Sequence, residues 1–380
     1  MIRVLFISRS LEAGGAEAKL LELVRHIDKS KFEVTVVTFY SGGKHFKTVQ
    51  ELPSVRLVSM NKRGRWDLLG FSTRLSRVFR EVRPQIVCAF NGANEVSFLF
   101  GKRFHAKIVL SISTTYTSEV KRDWLFYLLR RLSRYFSYRS SLVIAISQQS
   151  KSSYVQAGYC ERNIAVMHSG FDVRTYYPNR SLGKELRQHW GVSPEMILIG
   201  HIGRLDPRKD HPIFLRAAAR LSKECDDLRF VCVGGRGGET YRVELEALAN
   251  ALGLQNRLIW AGEQSNMPAV YNALDISTIT SFVEGGPRVL GEAMCCEVPT
   301  VTTDVGDAAY LLGDARWVVP VGDVEGIAER WRTLLEMSVE ERQAVGKAAR
   351  ERILAEFSTE QYTAKMEAAL ESLVREEKSL

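Results

Sequence analysis

Leu274-Asp275-Ile276-Ser277-Thr278-Ile279-Thr280 leads through Ser281-Phe282-Val283 into Glu284-Gly285-Gly286-Pro287-Arg288-Val289-Leu290-Gly291-Glu292-Ala293-Met294. The first seven residues read as a buried strand, and Val289, Leu290, Ala293 and Met294 fall on one helical stripe. Pro287 is predicted at the first helical position, where its missing N–H would have had no partner anyway. The unit is therefore strand, glycine turn, helix, and the free N–H groups at the helix start make a ready anion site. Glu284 falls in the turn and Glu292 more than a turn into the helix, roughly 7 Å further along its axis. Glu292 also follows Arg288 by four, the spacing of a helix-surface ion pair.

The same rhythm extends in both directions. Strands are predicted at Arg3–Ser8, Glu33–Phe39, Arg56–Ser59, Gln85–Ala89, Lys107–Ser111 and Leu142–Ile146, with helical patterns such as Ala16–Ile27 and Leu68–Val82 between them. Further on come Ile197–Ile202, Arg229–Val233, Arg257–Trp260, Ile276–Thr280 and Thr300–Thr303. Strands interleaved with helices of about ten or more residues make βαβ units and parallel sheets. Two such sets in 380 residues predict an α/β protein of two Rossmann-like domains, 1–175 and 196–356, joined by a turn-rich linker at 176–195. Two charged amphipathic helices close the chain, Val339–Glu356 and Thr359–Glu376, with Phe357-Ser358-Thr359 as the break. Segment 357–380 is expected to cross back to the first domain.

Charge is distributed unevenly. Residues 1–180 carry 29 Lys and Arg against 13 Asp and Glu, while the remaining 200 carry 23 against 31, within a net charge of +8. So basic a first half faces something anionic, either nucleic acid or lipid. The six cysteines show no Cys-x-x-Cys spacing, which fits a reduced cytoplasmic compartment. Met1–Ser8 reads as a strand rather than a signal peptide, and no apolar run is long enough to span a bilayer.

Two more loops carry chemistry. Gly203-Arg204-Leu205-Asp206-Pro207-Arg208-Lys209-Asp210-His211 directly follows the strand Ile197–Ile202 and opens a helix. A strand-end loop is where parallel sheets bind ligands, and Arg204 with a lysine such as Lys209 could clamp a diphosphate. Gly14-Gly15-Ala16-Glu17 follows the first strand, and glycine there allows close backbone approach at the head of a helix. It lacks the third glycine of the dinucleotide fingerprint, so NAD or FAD is not expected.

Together, Gly14–Glu17, His168-Ser169-Gly170-Phe171-Asp172, Gly203-Arg204 with Lys209, the Glu284-x7-Glu292 segment and Pro299–Asp307 resemble the retaining glycosyltransferases of the GT-B fold, specifically the large family four. The resemblance covers nearly the whole chain and is closer in the second half. It implies two Rossmann-like domains facing across a cleft, with the nucleotide-sugar donor held by the second and a glycan or lipid-linked acceptor by the first. It implies that Arg204 and Lys209, the latter in preference to Arg208, neutralise the donor diphosphate. Glu284 would lie near the donor sugar hydroxyls, the amides around Gly285, Gly286, Arg288 and Val289 near the phosphates, and Glu292 on the ribose. Gly15 would approach the donor from the first domain. No Asp-x-Asp occurs, which agrees with a donor neutralised by Arg and Lys, without a metal or other cofactor. Retention in this family is described as front-side attack within an ion pair, the leaving phosphate accepting the acceptor's proton.

The chain also departs from the family. Gly286 stands where an aromatic residue is frequent, Glu297 where a glycine is common, and His168-Ser169 where Pro-Asn is common. Many members carry a histidine at the end of a first-domain strand; the equivalent stretch here, Ser111-Ile112-Ser113-Thr114-Thr115, has none, so no general base is named. A last signal is the basic, aromatic stretch from Lys121 to Phe136. Lys121, Arg122, Trp124, Arg130, Arg131 and Arg134 read as a helix lying on an anionic membrane surface. The sequence thus reads as a hexosyltransferase of cell-surface polysaccharide or glycolipid synthesis, peripheral on the inner face of the cytoplasmic membrane. A sugar-nucleotide epimerase or hydrolase of the same fold is the alternative chemistry. A basic nucleic-acid binder is disfavoured, because the arginines form no reading motif.

Overall fold

β-Branched runs separated by amphipathic stripes fold here into two sheets in which the strand pairings are parallel. The computed structural model describes residues 1–12, 14–64, 66–90, 92–114, 124–235 and 238–375. It divides into one unit of Met1–Gly170 with Thr359–Leu380 and a second of Phe171–Ser358.

The first unit runs β1 (Ile2–Ser8), α1 (Gly15–His26), β2 (Phe32–Thr38), α2 (Phe46–Gln50), β3 (Val55–Ser59), α3 (Leu68–Val82), β4 (Ile86–Ala89), α4 (Asn94–Arg103), β5 (Lys107–Ile112), α5 (Trp124–Arg139), β6 (Leu142–Ala145), α6 (Gln148–Gln156) and β7 (Ile164–Val166). Its strand order is β3-β2-β1-β4-β5-β6-β7. The alternation of β1 shows why both faces are covered. Val4 and Phe6 point into one buried cluster and Leu5 and Ile7 into another, so each face needs its own helical layer.

The second unit runs α7 (Arg180–His189), β8 (Ile197–Ile202), α8 (His211–Leu221), β9 (Leu228–Val233), α9 (Glu239–Ala251), β10 (Leu258–Gly262), α10 (Met267–Ala273), β11 (Ile276–Ile279), α11 (Arg288–Cys295), β12 (Thr300–Thr303), α12 (Ala308–Leu312), β13 (Val318–Val319), α13 (Val324–Glu336) and α14 (Val339–Arg352). Its sheet order is β10-β9-β8-β11-β12-β13. Trp331 is fully buried among Phe214 and Phe230, and its indole N–H donates to Thr278 Oγ1 at 3.0 Å.

The last helix, α15 (Thr359–Arg375), belongs to the first unit. Tyr362, Met366, Leu370 and Leu373 recur at helical spacing and complete the same apolar cluster as α1, and Glu367 accepts from the Asp28 N–H at 2.7 Å. The helix before it is shorter than its pattern predicts. A capping box at Ser338 and Glu341 starts α14, but after Arg352 the ladder widens into a π-turn over Ile353–Phe357.

Residues 176–195, read as a linker, are instead part of the second unit. Their turn-forming composition misleads because Gly183 is a contact glycine: a Cβ there would overlap the backbone of Asn272, so α7 lies directly on α10. Asn272 accepts from the Asn179 N–H at 2.6 Å, and Arg187 reaches Asp275 at 2.8 Å. β7 and β13, at three and two residues, are too short for a period to be read.

Gly183→Ala is expected to lower the unfolding free energy by about 1–3 kcal/mol through overpacking. Urea denaturation measures it, and a change below about 0.5 kcal/mol would show that α7 and α10 are not in this close contact.

Candidate active site

In open parallel sheets, ligands bind outside the carboxyl ends of the strands, where the strand order reverses. In the second unit that point lies between β8 and β11, since β9 follows β8 on one side and β12 follows β11 on the other. The loops leaving these two strands are the two that carry the predicted residues. In the first unit the reversal lies between β1 and β4, and Gly15 opens α1 directly beyond β1.

The two loops of the second unit are sewn together by buried polar groups. Thr280 Oγ1, just past β11, donates to the carbonyls of Lys209 or Asp210, at 2.8 and 2.9 Å. His201 Nε2, on β8, lies 2.9 Å from the same hydroxyl and 3.2 Å from the Lys209 carbonyl. The Phe282 N–H donates to the Arg208 carbonyl at 3.1 Å. This fixes the backbone at Lys209 beside the start of the β11–α11 loop. The side chains then meet: the Lys209 ammonium donates to Glu284 Oε1, which also accepts from Ser281 Oγ at 2.8 Å.

Arg208 and Arg204 are arranged differently. Asp206 caps the Arg208 N–H and grips its guanidinium through both carboxylate oxygens, at 2.9 and 2.6 Å. That hydrogen bond above all holds the Asp206 pKa down to about 2. Arg204 is 62% exposed and stands 4.0 Å from Asp206. Among the three basic residues, Arg208 is engaged in its own loop, Lys209 points at Glu284, and Arg204 is the most exposed.

Beyond Glu284, Gly285 and Gly286 span a half-buried turn. Gly306, at φ +58°, lets the β12–α12 loop press on it, since a Cβ there would lie 3.1 Å from the carbonyl oxygens of Glu284 and Gly285. Helix α11 begins at Arg288, one residue later than predicted. Pro287 is its cap rather than its first residue, and no side chain caps it, so the first N–H groups stay available to a ligand. Val289 packs partly into the apolar core. Glu292 lies on the buried side, accepting from the Tyr271 hydroxyl at 2.8 Å and pairing with Arg288 at 3.3 Å. Burial first, then the Glu292 charge, drive the Tyr271 pKa well up, so its hydroxyl stays a donor. Arg288 Nη1 is buried without a hydrogen-bond partner among the described residues. The i,i+4 spacing of Arg288 and Glu292 therefore does form an ion pair, but a largely buried one.

Ser281, Thr280, His201 and Tyr271 complete this site and were not singled out from the sequence. Ser281 and Thr280 stood inside the quoted stretch; His201 and Tyr271 read as strand and helix interior, with nothing to mark them. In the first unit, Arg130, Arg131 and Arg134 lie on α5, which exposes Leu128, Leu132, Tyr135 and Tyr138. Trp124 opens that helix, and Lys121 and Arg122 lie outside the described residues. Among the described residues, no helix is long and apolar enough to cross a membrane.

Known proteins resemble this chain over most of its length. Residues 13–175 match the model of Glycosyltransferase Family 4 and residues 184–352 that of Glycosyl transferases group 1, so that the two span most of the chain. A D-inositol 3-phosphate glycosyltransferase of Mycobacterium sp. (strain JLS) is 33% identical over 155 residues, 40% of this chain but only 34% of that protein's length. The GalNAc-alpha-(1->4)-GalNAc-alpha-(1->3)-diNAcBac-PP-undecaprenol alpha-1,4-N-acetyl-D-galactosaminyltransferase of Campylobacter jejuni is 26% identical over 81% of each chain. The structure of Anabaena Alr3699/HepE in complex with UDP-glucose superposes with a TM-score of 0.83 at 25% identity, over 98% of this chain and all of that one.

The imidazole pair behind Lys209 predicts a pH dependence of stability. His201 and His211 lie 4.4 Å apart and are buried. Burial first, then the facing His211, hold His201 well below the usual imidazole pKa; burial, then the Lys209 ammonium, hold His211 down to about 4. Both rings are neutral when folded, whereas free imidazoles titrate near ~6.5. Between that value and about 4 the unfolded chain binds more protons, so stability falls as pH drops, by up to ~1.4 kcal/mol per pH unit for each ring. Urea titrations at several pH values across this window measure the slope. A flat response, or an unaltered slope in His211→Gln, contradicts it.

Proposed function

We propose that this chain, which belongs to the GT-B glycosyltransferases, transfers a sugar from a nucleotide-diphosphate donor, with retention, onto a glycan or lipid-linked acceptor at an anionic membrane surface. The observation that carries the reading is the meeting of Lys209 and Glu284 at the strand-order reversal, beside the uncapped start of α11. Breaking the bond between sugar and diphosphate leaves negative charge on phosphate and a cation-like sugar. An ammonium, an exposed guanidinium and aligned amides aimed at the leaving group lower that barrier, an electrostatic effect worth several kcal/mol.

The residues divide as follows. Lys209 and Arg204 take the diphosphate, with Lys209 held in place by the Thr280 and His201 contacts to its carbonyl. The amides of Arg288 and Val289, reached across Gly285 and Gly286, take the remaining phosphate oxygens. Glu284 orients sugar hydroxyls and keeps Lys209 aimed while no donor is bound. Glu292, backed by the Tyr271 hydroxyl, accepts from the ribose. Neutralisation by these cations is proposed to suffice without a metal, in keeping with the lack of an Asp-x-Asp sequence. The acceptor side is read from chemistry alone. The first half is strongly basic, and α5 exposes arginines beside leucine and tyrosine, the composition that lies on anionic lipid. The Campylobacter relative is named for an undecaprenol-linked acceptor, which fits such a surface.

A thermal-shift panel of UDP-, GDP- and ADP-sugars tests the donor site. A ligand at a hundred times its dissociation constant stabilises by about 2.7 kcal/mol, and no shift from any of them contradicts the site. Lys209→Ala and Glu284→Ala are expected to lower turnover by about 10²-fold or more, whereas Glu292→Ala acts chiefly on nucleotide affinity. Unimpaired turnover in all three overturns the assignment. Co-sedimentation with phosphatidylglycerol vesicles should be lost in Arg131→Glu/Arg134→Glu and absent with phosphatidylcholine; equal binding to both lipids contradicts a charge-driven surface.

A further inference from the structure

Helix α11 has only eight residues, too few to hold itself in place by propensity, so its position is set by what packs on it. At its far end the Arg350 guanidinium donates to the Cys295 carbonyl, a cation on the helix carboxyl terminus, and to the Tyr176 carbonyl at 3.2 Å. Along its middle lies a single ring. Gly291, one residue before Glu292, sits directly on the Phe171 ring: a Cβ at 291 would overlap three of the ring's outer carbons. The Arg288 guanidinium lies over the same ring, 5.8 Å from its centre. Phe171 is 3% exposed, and its backbone is pinned from the other side. Its N–H donates to the Phe357 carbonyl at 2.9 Å, and it forms a parallel bridge to Ser358, directly after the π-turn.

We propose that Phe171 is a positioning residue for nucleotide binding: its ring, received by Gly291, sets the height and rotation of α11 and thereby aims Arg288 and Glu292. The argument rests on the reading of Glu292 as a ribose-binding carboxylate. Gly291 has no conformational need to be glycine, since it lies within a helix and its φ is ordinary. Its smallness is explained by the ring alone. Any side chain at 291 must lift the helix off Phe171 or displace the ring. Lifting the helix shifts Glu292, the next residue, and the amides at the helix start together, relative to Tyr271; displacing the ring takes away the surface under the Arg288 guanidinium. A smaller residue at 171 removes the surface on which both Gly291 and the Arg288 guanidinium rest. Phe171 touches no donor atom in this scheme; it acts through the helix.

The test is a double-mutant cycle read as nucleotide affinity on folded protein. Dissociation constants of UDP, GDP and ADP are measured by calorimetry for wild type, Gly291→Ala, Phe171→Leu and the double variant. Phe230→Leu, the same substitution in the same buried cluster but on β9, against Phe214 and Trp331, serves as control. Leucine lacks the outer ring carbons that a Cβ at 291 would strike, so the double variant regains complementarity. Each single variant is expected to weaken the bound nucleotide by about tenfold or more, equivalent to ~1.4 kcal/mol, with the double variant recovering most of it. Phe230→Leu should lower the melting temperature and leave affinity unchanged. Single variants that bind as wild type, or a double variant no better than the weaker single, overturn the proposal. So does a Phe230→Leu that weakens binding equally, because the effect would then be general loosening. If wild type binds none of the three nucleotides, it is the donor-site reading that fails. Should Gly291→Ala not fold, Phe171→Leu against Phe230→Leu decides alone, by whether affinity falls in the first and not in the second.

Discussion

The contact between Lys209 and Glu284 is the constraint around which the second unit is organised. It joins loops from β8 and β11, strands adjacent in the sheet but separated in sequence by two βα units, and it does so where the strand order reverses. A half-buried ion pair is poor evidence of stabilisation, because desolvation offsets much of the attraction. Its persistence here is better explained by the neutral contacts beneath it. Thr280 and His201 hold the Lys209 carbonyl, so the lysine stem leaves the backbone in one direction whatever its ammonium meets. The scaffold beneath the pair therefore does not depend on the charges above it.

Helix α11 shows the opposite strategy. Its carboxylate is nearly out of solvent, which is tolerable only because Tyr271 and Arg288 both serve it. The rest of the helix is core: Leu290, Ala293 and Met294 are fully buried. Position is imposed from three sides, by Phe171 at Gly291, by Gly306 against the preceding turn, and by Arg350 at the carboxyl end. The turn after α11 carries the cost of one departure. Glu297 adopts a φ of +58°, a region that suits glycine, and its carboxylate lies 3.9 Å from the same Arg350. The arginine that holds the helix end therefore also partly compensates the residue that strains it.

In the first unit the reversal between β1 and β4 leaves Gly14 and Gly15 at the head of α1, while charge accumulates on helices further along. Gly14 is the helix cap in extended geometry, and the Glu17 carboxylate curls back into the space where a Cβ would stand. The glycine there serves the helix's own first turn. α15 packs beside α1 in the same apolar cluster, with four apolar residues on one stripe.

How much of this was legible follows from the range of each interaction. Short apolar runs such as β1 and β8, and apolar stripes such as Tyr362, Met366, Leu370 and Leu373, are local, so the sequence alone determined that parallel sheets and amphipathic helices form and roughly where. Gly285-Gly286-Pro287, the paired glutamates and the basic loop after β8 are local motifs too, legible along the chain. What tertiary structure decided is non-local. It turned residues 176–195 from a supposed connection into α7 by fitting Gly183 against Asn272. It bound Arg208 to Asp206 while sending Lys209 to Glu284, a choice between neighbours that no spacing could make. It recruited His201, Tyr271 and Phe171 because the fold brings their imidazole, hydroxyl and ring against Thr280, Glu292 and Gly291, residues well separated from them along the chain. Hydrophobic period acts over a few residues and can be read along the chain; hydrogen bonds and steric fit act over a few ångströms in space, and only the folded chain says which groups lie that close.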